Sequence, residues 1–398
     1  MKRLVLILEG AADDPIAELD GRSPLQAAVT SELDRLGAMG RLGTASFVPH
    51  DWPARAETSL MSCLGYDPKL YPAGRAALEA AVRELAVGPR DQVLRCDFVC
   101  VEDGVLRDAA PRNLASAEMA ELRAVVNRAS PAEGYAIESA GGHRNLAVLS
   151  GSLSSLDGVL TPPFDAIDQP IQKHLPRGKR STALTAWMRD AAGVLAPLES
   201  NAVRAELGES PANAIWFWGE GPRPKLPRFR ERFGDGAALV PDSLLMNGLA
   251  RVARLEVFEP PESGGDGGAA AGLPGIAAAA LAAFEKWDTV FVHSAAADCA
   301  GHAGRATGKL LALESLDREL VRPLLERVQR ETEWRVLVLT AHATLLGTRT
   351  HANRPTLFAL AGSRLESNRG ESFDEIHAAT GELRFERGCD VIEYFLRI

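Results

Sequence analysis

Residues 289–302 read TVFVHSAAADCAGH. A short β-branched and aromatic run gives way to an acid and a histidine spaced D-x-x-x-H. A buried strand thus hands its C-terminal end to polar chemistry, as open α/β sheets do. If the following segment is helical, Asp298 and His302 share one face. The pattern recurs along the chain. LVLIL precedes Glu9-Gly10, which gives a strand over 2–8. Further buried strands are expected over 214–218, 238–241, 335–340 and 356–361. Helical patterns alternate with them over 24–39, 243–252, 276–286, 310–330 and 390–397, with Ser23 as N-cap and Pro24 in the first turn. The alternation is that of a mostly parallel sheet flanked by helices, an α/β fold.

The middle of the chain reads differently. Residues 76–184 mix a helix over 115–126 with short strands over 92–101 and 145–149, and with turn-rich pieces such as TPPFDAIDQP (161–170). This is an α+β insert, which makes residues 1–75 and 185–398 the core and 76–184 an inserted cap domain. SGGDGGAAAGLPG (263–275) is the low-complexity stretch and reads as a surface loop. No repeat is present.

At 398 residues the chain is long for one core, and 46% hydrophobic content excludes global disorder. With 44 Lys+Arg against 53 Asp+Glu, the formal charge is −9, which argues against nucleic-acid or anionic-membrane binding. No apolar stretch is long enough for a membrane span. Cys63, Cys96, Cys100, Cys299 and Cys389 form an odd, scattered set, as expected of reduced, buried thiols in a cytoplasmic protein.

The late histidines carry the chemistry. Asp298, His302 and His351 supply one carboxylate and two imidazoles, a first shell suited to zinc, manganese or another divalent ion. His342 follows another strand end, at Ala341-His342. Arg75, Arg144 and Lys225 are candidates for gripping a phosphate or carboxylate. Trp216 and Trp218 read as core, and His293 as a buried, hydrogen-bonded histidine.

The motifs run almost end to end. They include LILEGAADDPIAELDGRSPLQAA, LDRLGAMGRLG, SCLGYDPKLYPAGRAALEAA, RCDFVCVEDGVLRD, TPPFDAIDQPI, NAIWFWGEGPRPKLPRFRERFG, VFVHSAAADCAGH and RTHANRPTLF. In number and order they resemble the archaeal-type, 2,3-bisphosphoglycerate-independent phosphoglycerate mutases of the alkaline phosphatase superfamily. The resemblance implies an alkaline-phosphatase-like core sheet flanked by helices, with an inserted cap. It implies a pair of divalent metals (Mn, Zn, Co or Mg) beside a Ser or Thr nucleophile, glycolytic interconversion of 3- and 2-phosphoglycerate, and a small phosphorylated metabolite as partner. It also implies that Asp298, His302 and His351 hold one metal, and that Arg75, Arg144, Asp165 and Lys225 bind substrate.

Elsewhere the resemblance breaks. The family's Asp-Gly after the first strand is Glu9-Gly10, and its Asp-His pair is Ala341-His342. Its nucleophile position, nine residues ahead of Gly65, is Ala56. Glu9 and His342 are thus remnants of the other metal's shell. In the cap, Phe164 and Asn145 stand where the family has histidines. A nucleophile two residues on, at Thr58, would be turned about 200° around a helix. A mutase of this type parks the phosphoryl group on the protein, and Ala56 cannot accept it. The expected function is therefore that of a degenerate member, a pseudoenzyme that binds a phosphorylated small molecule and one metal ion. The alternatives are an active mutase with a replacement nucleophile such as Thr58, and a one-metal phosphatase.

Overall fold

The structure, a computed structural model, describes the chain except residues 84, 86, 89, 90, 142, 143, 151–159, 179, 180, 262–271 and 368–371. Most of the low-complexity stretch (263–271) and His143 therefore lie outside the described residues. Among the described residues, one compact unit comprises Met1–Pro72 and everything from Lys225 onward, and the other comprises Ala73–Pro224.

The first unit is built on an eight-stranded sheet in the order Leu383–Phe385, Arg41–Ala45, Thr356–Gly362, Trp334–Leu339, Lys2–Leu8, Thr289–Ser294, Ala238–Val240, Glu256–Val257. The four from Trp334–Leu339 to Ala238–Val240 run parallel. Their residues are almost wholly buried, as expected where helices cover both faces. The register sets Ile7 beside Leu339 and His293, and Leu8 beside Ser294. Three strands thus end at one level, and the residues just beyond them, Glu9, Asp298 and His342, start from the same edge.

The second unit holds a separate antiparallel sheet around Gln92–Glu102. That strand pairs with Val105–Asp108, Arg144–Leu149 and Ala214–Trp218. Ala214–Trp218, expected in the main sheet, therefore belongs to this one, with Arg95 opposite Trp218. An apolar run looks the same whichever sheet takes it. This unit extends from 73 to 224 rather than 76 to 184, because that strand and the helix Thr182–Leu195 pack into its core.

Other differences have local causes. Ser23 caps its helix, with Ser23 Oγ accepting from Gln26 N (3.2 Å) and Gln26 Oε1 from Ser23 N (3.0 Å). Such a box is worth about 1 kcal/mol. The helix expected over 24–39 is nevertheless two, Pro24–Ala27 and Ser31–Met39. The second is capped from a distance: Asp317 accepts from Glu32 N and Leu33 N (3.1 and 2.8 Å). Asp317 sits on a π turn (Leu316–Val321) that interrupts the helix expected over 310–330. Cys63, Cys96, Cys100 and Cys389 are buried free thiols; Cys299, expected to be buried, is exposed beside Asp298.

Candidate functional site

Asp298 lies in the first turn of Ala296–Ala303, the helix that follows the Thr289–Ser294 strand, with His302 one turn on. The helix packs close to the first strand because residue 10 is glycine. At φ +70°, a Cβ there would come within 2.5 Å of Asp298 Cα. His342 follows the Trp334–Leu339 strand, and His351 lies on a small hairpin, Ala343–Leu345 with Thr350–Ala352, opposite Thr344.

These side chains converge on one carboxylate. Asp298 Oδ1 is 3.2 Å from His351 Nε2 and 3.3 Å from His342 Nε2, and it accepts from Thr344 Oγ1 at 2.5 Å. Asp298 Oδ2 is 3.5 Å from His302 Nε2. His302 Nε2 and His351 Nε2 are 3.0 Å apart. His302 Nδ1 donates to Arg349 O (2.8 Å) and His351 Nδ1 to Ala54 O (3.2 Å). Arg349 adopts φ +58°, a left-handed turn from which its carbonyl reaches His302. With both Nδ1 protons committed, the facing Nε2 atoms need something electropositive between them, either a proton or a cation. Burial pushes Asp298 up and the His351 imidazole down. At Asp298 the hydrogen bonds and charges of His342 and His351 together outweigh it and hold the carboxyl well below the usual range; at His351 those of Asp298, with Glu9 and Ala54 O, together outweigh it and raise the imidazole.

This donor set fits a divalent ion. With metal–ligand bonds of about 2.0–2.1 Å, the edges of a tetrahedral shell are about 3.3–3.4 Å. The Oδ1–His351 and His302–His351 separations of 3.2 and 3.0 Å lie near that value, and His302 meets the carboxylate at its other oxygen, Oδ2, 3.5 Å away. Each histidine also gives its other ring nitrogen to a carbonyl, the arrangement that orients imidazole ligands.

The other expected shell looks different. Glu9 Oε2 accepts from His293 Nε2 at 2.8 Å. His293 Nδ1 in turn accepts from Asp242 N at 3.3 Å, which fixes the proton on Nε2. Burial pushes Glu9 up, as does the nearby Asp298 charge, but His293 and His342 together outweigh them and hold its carboxyl below the usual value. Ala341 is buried and adopts φ +56°. That left-handed conformation suits Asp or Asn far better than Ala. Ala56 opens the helix Ala56–Cys63 as a buried methyl, with Arg55 as N-cap. Among the described residues no hydrogen bond joins the Thr58 hydroxyl to the histidine cluster. Ser59 does reach it, with Oγ 2.8 Å from His342 Nδ1.

In the second unit, Gly74 and Gly221 pass so closely that a Cβ on either would meet the other's backbone at 2.5–2.6 Å. This seats Arg75 over the Trp218 ring (5.1 Å), with Arg95 also against it (5.3 Å). Glu79 accepts from Arg75 Nε (3.0 Å) and Arg95 (2.9 Å), and Asp97 accepts from Arg95 (2.6 Å) and Trp218 Nε1 (2.6 Å). Arg144 faces the same group. Burial lowers its pKa, Glu79 raises it, and Arg95 and Arg75 lower it further. No hydrogen bond or ion pair among the described residues engages its guanidinium. Three arginines against two carboxylates leave one positive charge over. Asp165 is exposed on the turn Pro163–Ala166, beside Phe164, whose ring stands edge-on to Trp218 at 5.0 Å. Lys225 is exposed. Arg95 was missed by sequence reasoning; it sits inside a strand, where a buried charge has no sequence signal.

Comparison with known proteins follows the same line. The model of the 2,3-bisphosphoglycerate-independent phosphoglycerate mutase family matches residues 37–201. A protein of that name from Methanothrix thermoacetophila is 36% identical over 397 residues, covering 100% of both chains. A solved structure from Pyrococcus horikoshii superposes with a TM-score of 0.78 at 25% identity, over 99% of this chain and 96% of that one. The cofactor-independent phosphoglycerate mutase of Thermoplasma acidophilum gives 0.57 at 26% identity, over 100% of each. No described helix is long and apolar enough to cross a membrane. With sequence identity sustained over the whole length, this chain belongs to the 2,3-bisphosphoglycerate-independent phosphoglycerate mutase family.

Proposed function

We propose that this chain is a degenerate family member that binds a phosphorylated small acid, phosphoglycerate above all, together with one divalent ion, without mutase turnover. The observation that carries this is Ala56. A mutase of this type needs an oxygen at the start of that helix to hold the phosphoryl group while the glycerate reorients. A methyl stands there, buried. Ser59, the hydroxyl nearest the cluster, is fully buried and engaged with His342 and with Ala56 O.

Asp298, His302 and His351 would hold the ion. Once bound, it would supply Lewis-acid polarisation of a phosphoryl oxygen. The other shell is reduced to Glu9 and His342, with Ala341 and Ala56 offering no donor and Glu9 bonded to His293. Two ligands rarely hold a divalent ion against water. Arg75 and Arg144 would grip the ligand's phosphate or carboxylate, Lys225 would add a point charge, and Asp165 would accept from a hydroxyl. Such a ligand is a cytoplasmic, glycolytic metabolite.

The second reading, an active mutase, is favoured by the 36% full-length identity to a named mutase. A coupled assay of 3-phosphoglycerate to 2-phosphoglycerate with Mn, Co, Zn or Mg decides between them, with calorimetric binding of 3-phosphoglycerate alongside. Binding without turnover supports the proposal. Turnover that is lost in Thr58→Ala or Ser59→Ala overturns it.

A further inference from the structure

We infer that Thr344 is a positioning residue for the ion: its hydroxyl pins the Asp298 carboxylate in the rotation that turns Oδ1 to His351 and Oδ2 to His302. The inference rests on the one-ion reading and adds to it a residue that acts through a ligand.

Thr344 is fully buried on the small hairpin, directly opposite His351. Its Oγ1 lies 2.5 Å from Asp298 Oδ1, and the hydroxyl makes no other hydrogen bond among the described residues. A carboxylate that holds a metal carries no proton, so the hydroxyl donates. Donation to a carboxylate is charge-assisted, the short and strong kind. The last torsion of an aspartate is broad and two-fold, so by itself the carboxylate has no set orientation. A donor fixed on Oδ1 removes that freedom. It leaves Oδ1 3.2 Å from His351 Nε2 and Oδ2 3.5 Å from His302 Nε2.

The surroundings aim the hydroxyl. Threonine is β-branched and stiff at χ1, so placing its methyl also places its oxygen. Two glycines make room for the two branches. A Cβ on Gly301 would come 2.8 Å from Thr344 Cγ2, and one on Gly10 would come 2.7 Å from Thr344 Oγ1. The backbone of residue 344 is held as well. Its N–H donates to Ala12 O (3.2 Å), and its carbonyl accepts from Lys309 Nζ (2.7 Å). Lys309 is tied in turn to Asp13 Oδ2 (2.8 Å), which accepts from Leu346 N (3.2 Å).

The buried Lys309–Asp13 pair thereby anchors the hairpin strand from behind. That strand carries Thr344, and His351 lies across from it on the same face of the pair. One anchor therefore sets the place of a ligand, His351, and through the Thr344 hydroxyl sets the rotation of another, Asp298. Hydrogen bonds that orient a ligating side chain are worth about 10–100-fold in metal affinity.

The test uses the full-length protein, stripped by chelator and reloaded with Co(II) alone. Affinity is measured by chelator competition, bound metal is counted by mass spectrometry, and the visible spectrum is recorded. One ion per wild-type chain is expected. Thr344→Val keeps the shape and removes the donor. It should weaken Co(II) binding by about 10–100-fold and shift the cobalt bands as the carboxylate turns. Thr344→Ser keeps the donor and should recover most of the affinity. Circular dichroism checks that each variant is folded, and Thr344→Ala replaces Thr344→Val if that variant unfolds. Affinity unchanged in the hydroxyl-free variant, or as weak in Thr344→Ser as in that variant, overturns the inference while the one-ion reading stands. Unfolding of both hydroxyl-free variants overturns it too, since the hydroxyl would then serve the fold. A wild type that binds no ion, or two, sinks the one-ion reading and the inference with it.

Discussion

Lys309 offers the sharpest quantitative prediction. It is completely buried, and its ammonium donates to Asp13 Oδ2 (2.8 Å), Thr344 O (2.7 Å) and Ala12 O (3.4 Å). Burial pulls its pKa down, and Asp13 holds it up. Replacing it with methionine leaves Asp13 buried, with Asp14 N (2.7 Å) and Leu346 N (3.2 Å) as its remaining donors. Removing one partner of a buried pair typically costs about 3–5 kcal/mol. Lys309→Met should therefore lose about 3–4 kcal/mol at pH 7 in urea unfolding followed by circular dichroism. Asp13→Asn combined with Lys309→Met removes the charge, keeps an acceptor for both amides, and should return at least half of the loss. A single-variant cost under about 1 kcal/mol, or a pair no better than the single, would refute the reasoning.

Other outcomes follow from the same geometry. Arg144→Ala should weaken 3-phosphoglycerate binding in calorimetry by about 10–100-fold, the loss of one charge-assisted bond, without lowering the melting temperature, because no described residue pairs with that guanidinium. Glu79 should give an acid limb to stability. Burial pushes it up, but Arg95 and Arg75 hold it below its ordinary 4.5. Its contribution is thus complete above that value and lost as pH falls through the lower folded value, so the urea midpoint of Glu79→Gln should fall less between pH 7 and pH 3. Ala341→Asp with Ala56→Ser should raise the metal content from one ion per chain to two by mass spectrometry, since the left-handed backbone at 341 already suits aspartate. Chelation should lower the melting temperature of the wild type, by the loss of about 2.7 kcal/mol if the free ion had stood at a hundred times its Kd. Asp298→Ala should be insensitive to chelator.

Much of the first unit is legible in the chain. LVLIL, TVFVHS and WRVLVL are apolar enough to be central strands and too short to be buried helices. A polar residue just past each strand's end is where a parallel sheet opens to chemistry. D-x-x-x-H names two ligands because a helix repeats in just under four residues. The sequence also says that Ala56 has no side-chain oxygen and that Ala341 has no carboxylate, since these are matters of composition at a position.

Tertiary structure decided the rest, because partnership depends on distance and not on spacing. Ala214–Trp218 joins the second sheet through its pairing with Arg95–Val99, which no apolar run announces. The break between Ala27 and Ser31 is stabilised by Asp317, a residue far along the chain. Glu9 differs from aspartate by one methylene, and only the fold shows what that reach meets, the buried His293. His342 reads as the survivor of a lost pair until its two nitrogens are seen, one on Ser59 and one toward Asp298. Sequence fixes which donors a chain carries. Which lone pair faces which proton is settled only when strands from opposite ends of the chain come to lie about 5 Å apart.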